Sequence, residues 1–194
     1  EFLKLLERET MRSSVFSPRL GIASIVSWAC TFLISLAYVS GKSELPRISP
    51  EFRVKLFDET VVTYKDIQGK VTVIDFWGTW CKPCLAEIPD YSAFYRDYKN
   101  KGVLFMGLAG ESGNAEKVRE RSKRLNIDYP VGAPSRAEFK TIGKIRCYPT
   151  TWVIGPSGEI EEEFVGVIPG KQKALREIVD RLLKEYSAPG ADSR

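Results

Sequence analysis

The chain's apolar and polar positions fall into two regimes: one unbroken apolar stretch near the start, then a long region of alternating periods. From Leu20 to Val39, twenty residues pass without a charged side chain. At about 1.5 Å per residue a helix of that length reaches about 30 Å, the thickness of a bilayer's hydrocarbon core. A helix packed against a globular core keeps a polar stripe, and this stretch has none. The pattern predicts a transmembrane signal-anchor over 20–39, preceded by an N-terminal tail over 1–19. A cleaved leader, processed near Ser35-Leu36-Ala37, is the alternative reading, although leader cores are usually shorter. Arg12 and Arg19 precede the stretch while Lys42 and Arg47 come after it, so the flanking charges do not set its orientation. Leader-like N-termini usually carry the downstream chain across the membrane, which places the remainder outside the cytoplasm.

Residues 40–50, with two prolines and a glycine, read as a linker. The domain is expected over 51–186, and a disordered Ala-Pro-Gly-rich tail over 187–194. Within the domain, Phe52 to Phe57 and Val61 to Tyr64 predict a hairpin, and Val71 to Trp77 and Val103 to Ala109 predict buried strands. Pro83 to Lys99 reads as a helix burying Leu85, Ile88, Phe94, Tyr95 and Tyr98. A charged helix over Asn114 to Leu125 takes Ser112 or Asn114 as its cap. Tyr129 to Val131 suggests a short strand, and Arg136 to Ile142 a short helix. Thr150 to Ile154 and Ile160 to Val167 form a hairpin around Gly155-Pro156-Ser157-Gly158. The last helix, Lys171 to Tyr186, repeats Ala174, Leu175, Ile178, Val179, Leu182, Leu183 and Tyr186 on one face. Strands alternating with helices predict an α/β fold with helices on both faces of the sheet.

Composition narrows the chemistry. The 194 residues contain no histidine, which removes a Ser-His-Asp triad, a Cys-His protease and a His-ligated metal. A net charge of +4, with Lys and Arg interleaved among Asp and Glu, reads as a solvated surface and not as a nucleic-acid footprint. Four cysteines are too few for a disulfide-stapled scaffold. Cys30 lies within the apolar stretch and reads as a packing residue.

The sharpest feature is Trp80-Cys81-Lys82-Pro83-Cys84, between a buried strand and a helix. Two cysteines so spaced at a helix start can close a small disulfide, and the helix dipole favours the first as thiolate. Cys81 is then the nucleophile and Cys84 the resolving thiol. A zinc site needs four ligands, and with no second such pair and no histidine none is expected. Cys84 is not followed by histidine, which excludes covalent haem. Asp75 stands in an otherwise apolar strand, where burial disfavours its charged form and raises its pKa. Glu87 lies three residues past Cys84 and so on the same helix face; an exposed helix charge is the plainer reading.

The segment Val73-Ile74-Asp75-Phe76-Trp77-Gly78-Thr79-Trp80-Cys81-Lys82-Pro83-Cys84 resembles the active-site region of thioredoxin-fold oxidoreductases, and Tyr148-Pro149-Thr150-Thr151 resembles their cis-proline loop. Glu87-Ile88-Pro89, the hairpin before the dithiol and the helical insert before Pro149 resemble the membrane-anchored TlpA/ResA branch. The resemblance covers about residues 50–186. It implies a thioredoxin-like fold with a central mixed sheet, an N-terminal hairpin and a central helical insert. It further implies that Cys81 attacks a substrate disulfide, that Cys84 resolves the mixed disulfide and that Asp75 takes the Cys84 proton. Trp80 and Pro83 would frame the dithiol, a cis Pro149 would present the Tyr148 backbone to a substrate strand, and Glu87 would modulate the thiols. Two positions depart from the branch: Asp75, where its members often carry Asn, and Cys147, where Gly is common. Two-residue alternation points Cys147 the same way as Pro149; an inert, semi-buried cysteine is the main reading and a third redox thiol the alternative.

The function expected is extracytoplasmic reduction of protein disulfides in a bacterium, with apocytochrome c among the substrates that the resemblance suggests. No cofactor is expected beyond the Cys81–Cys84 disulfide. The expected partners are protein disulfides, a transmembrane thiol electron donor and, through residues 20–39, the membrane. A thiol oxidant or isomerase is an alternative, as is a membrane-tethered redox-sensing or chaperone-like module. A peroxiredoxin-like enzyme is disfavoured, because its Pro-x-x-x-Thr-x-x-Cys pattern would need Pro and Thr where Ile74 and Gly78 stand.

Overall fold

The computed structural model describes residues 46–187. The anchor expected over 20–39, the tail over 1–19 and residues 188–194 lie outside the described residues. No helix among the described residues is long and apolar enough to cross a membrane. Pro46 to Pro50, the end of the segment read as a linker, lies against the domain: Ile48 is buried and its N–H donates to the Gly158 carbonyl at 3.0 Å.

A hairpin of β1 (Arg53–Lys55) and β2 (Val61–Thr63) opens the domain. The apolar pattern extends β2 through Tyr64; instead the chain turns there into a short helix α1 (Tyr64–Ile67). The Asp66 carboxylate accepts from both the Thr63 N–H and its hydroxyl, which starts the helix at that point.

The five-stranded sheet runs in the order β5-β4-β3-β6-β7. β3 (Val71–Trp77), β4 (Val103–Ala109) and β5 (Val131–Gly132) are parallel, whereas β6 (Thr150–Ile154) and β7 (Ile160–Val165) are antiparallel to their neighbours. β3 occupies the centre and is buried at all seven positions, as a strand covered on both faces must be. The β7 edge carries Glu161, Glu162 and Glu163, charges that discourage further pairing.

Four further helices complete the domain: α2 (Lys82–Tyr98), α3 (Ala115–Arg124), α4 (Arg136–Ile142) and α5 (Lys171–Ser187). Two cores form, one per face of the sheet. Tyr91, Phe94 and Tyr98 of α2 and Leu175, Val179 and Leu182 of α5 pack with Val73, Trp77, Phe105 and Val153. On the opposite face Phe52, Val54, Ile67 and Ile142 pack with Ile74, Phe76, Met106 and Trp152. The split follows strand alternation: odd positions of β3 face α2 and α5, even positions face the hairpin, α1 and α4. The buried stripe of α2 differs from the expected one, since Leu85 and Tyr95 are only partly buried and Tyr91 is fully buried. Tyr186 closes the apolar face of α5 but is exposed at its end.

Candidate active site

The dithiol occupies the junction of β3 and α2. Gly78 to Trp80 carry the chain off the C-terminal edge of the sheet, and the Cys81 N–H donates back to the Gly78 carbonyl at 3.0 Å. Cys81 is the N-cap of α2, its Sγ accepting from the Cys84 N–H at 3.2 Å, and Pro83 lies in the first helical turn, where an absent N–H costs nothing. Cys81 and Cys84 form a disulfide with Sγ atoms 2.04 Å apart. Both cysteines are buried.

A second loop braces this turn. Gly110 donates to the Trp77 carbonyl, the Ser112 hydroxyl accepts from the Thr79 N–H at 2.9 Å, and the Trp80 indole N–H donates to the Glu111 carbonyl at 3.0 Å. Ser112, one of two candidate caps for α3, is thus spent on the dithiol loop. Asn114 caps α3 instead, accepting from the Lys117 N–H.

The third wall is the loop before β6, where the Tyr148–Pro149 peptide bond is cis. The Tyr148 ring stands edge-on to Trp80, their centroids 5.7 Å apart. The Gly166 N–H donates to the Pro149 carbonyl at 2.7 Å, which ties in the segment carrying Val167 and Ile168. Trp80, Val167 and Ile168 are the large apolar side chains most exposed near the pair, at 56%, 66% and 38%. Beyond Tyr148 an open groove of ≈ 770 Å³ runs between Glu111 and α4, floored by Phe139 and Ile145 and edged by Arg136, Lys140 and Lys144.

Cys147 departs from the semi-buried environment expected of it. Residues 147–149 form a bend and not a strand, so two-residue alternation does not hold there, and Cys147 is an exposed free thiol while Pro149 is buried.

Behind the disulfide lies a buried polar set. Asp75 is 1% exposed, and its Oδ1 lacks a hydrogen-bond partner among the described residues. Burial pushes its pKa up to about 8; the Lys171 ammonium opposes that rise and Glu87 adds to it. Glu87 is not an exposed helix charge: the Lys171 ammonium donates to its Oε2 at 2.6 Å, both side chains being largely buried. Lys171 also stands over the Tyr91 ring, 5.5 Å from its centroid. The Tyr91 and Thr151 hydroxyls hydrogen-bond at 2.5 Å, and Thr151 is the β6 partner of Asp75. Burial raises the Tyr91 and Tyr129 hydroxyls well above their ordinary range, and nearby Asp75 adds to both.

The sequence points to Asp75, Trp80, Cys81, Pro83, Cys84, Glu87, Tyr148 and Pro149 as site residues; the structure bonds Cys81 to Cys84 around Pro83, sets Trp80 against Tyr148 of the cis-Pro149 loop, and couples Glu87 to Asp75 with Lys171 between their charges. Lys171, Thr151 and the Glu111–Ser112 brace also belong to the site but leave no trace in local pattern. Tyr91 does leave one, as an apolar-faced position seven residues beyond Cys84 on α2. Among the described residues no group of acidic, cysteine or histidine side chains could hold a metal ion.

The family model described as the AhpC/TSA family matches residues 47–163. A thiol-disulfide oxidoreductase ResA from Bacillus cereus is 33% identical over 76% of this chain and 86% of its own length. One of the same name from Oceanobacillus iheyensis is 35% identical over 62% of this chain and 64% of its own. Among solved structures, a thiol:disulfide interchange protein of the thioredoxin family from Chlorobium tepidum is similar with a TM-score of 0.60 and 27% identity, over 71% of this chain and 97% of that one.

Proposed function

The chain belongs to the AhpC/TSA family and is a thioredoxin-like thiol-disulfide oxidoreductase; from that premise we propose that it reduces protein disulfides outside the cytoplasm, anchored by residues 20–39. The observation that carries this reading is the Cys81–Cys84 disulfide at the start of α2 with the buried Asp75 behind it. In the reduced enzyme the Cys84 N–H and the helix dipole hold Cys81 as the thiolate. That thiolate attacks a substrate disulfide, forming a mixed disulfide and releasing one substrate sulfur as a thiolate. Cys84 then attacks the Cys81 sulfur, and its proton passes to the Asp75 carboxylate. The Cys81–Cys84 bond forms, the second substrate sulfur leaves, and the substrate has gained two electrons that the dithiol has lost.

Asp75 and Glu87 oppose negative charge on the reduced pair, which favours the disulfide and hence a reductant. Trp80, Val167 and Ile168 supply the apolar rim for a protein substrate, and the Tyr148 backbone meets its extended segment. In an oxidising compartment the dithiol is regenerated by a two-electron thiol donor, in this reading one embedded in the membrane. Apocytochrome c is the substrate that the family resemblance suggests.

Insulin reduction driven by dithiothreitol tests the reading: wild type accelerates it, while Cys81→Ser and Cys84→Ser lose the acceleration. Unchanged turnover in either variant refutes the dithiol mechanism. A Cys81–Cys84 potential below about −220 mV supports the reductive direction, and one near about −120 mV makes the enzyme an oxidant.

A further inference from the structure

We infer that Lys171 is a positioning residue for proton transfer at the dithiol: its buried ammonium holds Glu87 in place behind Cys84 and governs whether Asp75 can accept the Cys84 proton. The inference rests on the reading of Asp75 as the acceptor given above.

Lys171 is the first residue of α5, at the positive end of the helix dipole, and no acidic residue lies in that helix's first turn. A lysine there works against its own helix. It is also 3% exposed, although lysine is almost never fully buried without a partner. Helix formation and solvation therefore both disfavour this residue, and its placement answers to the groups it meets. Those groups belong to the site: Glu87 at 2.6 Å and the face of Tyr91 at 5.5 Å. Tyr91 in turn bonds Thr151, the cross-strand neighbour of Asp75.

The chemistry follows from charge. The charged and titratable groups that act on or feel Asp75 are Glu87 and Tyr91 from α2, Tyr129 from the segment before β5 and Lys171 from α5, and Cys84 lies three residues before Glu87 on α2. Lys171 is the cation in that set. With it, the Glu87 charge is neutralised and Asp75 can ionise within the working pH range, ready to take the Cys84 proton. Without it, two carboxyl groups share a dry pocket, Asp75 stays protonated, and Cys84 has no base. The proton balance is simple: Cys84 gives one proton and Asp75 receives it.

Three variants of the full chain in detergent test this: Lys171→Met, Lys171→Arg and the double variant Lys171→Met/Glu87→Gln. Two readouts apply, the pH dependence of single-turnover release of a substrate thiol and the NMR titration of the Asp75 carboxyl carbon. Lys171→Met is expected to move both upward by about 1 pH unit or more. Lys171→Arg retains the cation and stays near wild type. Adding Glu87→Gln removes the like charge and brings both readouts back toward wild type, and it keeps the test decisive should the single variant fold poorly. An unmoved Asp75 titration in Lys171→Met overturns the inference. So does a double variant whose titration stays displaced upward by about a full unit. Wild-type protein without thiol exchange would instead overturn the functional reading, while the Asp75 titration would still report on Lys171.

Discussion

Replacing Asp75 by Asn tests the buried carboxyl most directly, because its consequence for stability has a sign as well as a size. The group ionises near 3.8 in the unfolded chain and near about 8 in the folded one, burial being the main cause. Between those values the unfolded chain has released a proton that the folded chain keeps, so stability falls as pH rises through the window. Below 3.8 the effect is absent, and above 8 it is complete. A shift of about 4 units at about 1.4 kcal/mol each puts the full loss on the order of 6 kcal/mol, a large fraction of a domain's stability. Asn is nearly isosteric and never ionises. Oxidised Asp75→Asn protein should therefore match wild type near about pH 4 and exceed it by several kcal/mol near about pH 9. Urea unfolding followed by tryptophan fluorescence at stepped pH measures this. A gain that changes by less than about 1 kcal/mol between those limits would refute the claim that burial favours the protonated form of Asp75. The same variant should reduce insulin more slowly, since Cys84 loses its proton acceptor, so stability and activity should move in opposite directions.

Gly110→Ala should impair substrate handling more than folding: its Cβ would run into the Tyr148 hydroxyl, and Tyr148 is only half-buried and can swing outward. A raised KM for insulin with a stability loss of about 1–3 kcal/mol is expected, and an unchanged KM would refute the placement of Tyr148 at the substrate rim. Tyr91→Phe leaves the buried Thr151 hydroxyl without its partner and should cost about 1–3 kcal/mol in urea unfolding. Asn114→Ala removes the α3 cap and should cost about 1 kcal/mol with insulin turnover unchanged; lost turnover would show that α3 acts on the site.

The fold is legible wherever local pattern decides. β3, β4 and β6 carry the ranges that their apolar runs predict, and α4 spans the predicted Arg136 to Ile142. Pattern and structure part where a side chain has two possible local uses. Ser112 could cap α3 or brace the dithiol loop, and only the approach of the loop after β4 to the β3–α2 turn decides for the brace. Tyr64 could extend β2 or open α1, and Asp66, accepting from Thr63 three residues before it, settles it for the helix, a signal present in the sequence but outweighed by the strand pattern. Alternation gives no guide to the burial of Cys147, because it holds only in extended chain and the chain bends at 147–149, where the thiol is exposed.

By itself, the sequence determined the chemistry that spacing can encode: a dithiol at a helix start, a lone acid in a buried strand, and no imidazole to move protons. It determined too that Glu87 shares a helix face with Cys84. Tertiary structure alone decided what surrounds those groups. Lys171 meets Glu87 from 84 residues away and Tyr91 meets Thr151 from 60, contacts made by stacking α2 and α5 on one face of the sheet. Periodicity says which side of an element is buried, but which side chain waits opposite depends on how the layers are laid together. The proton chemistry proposed for this site depends on that packing.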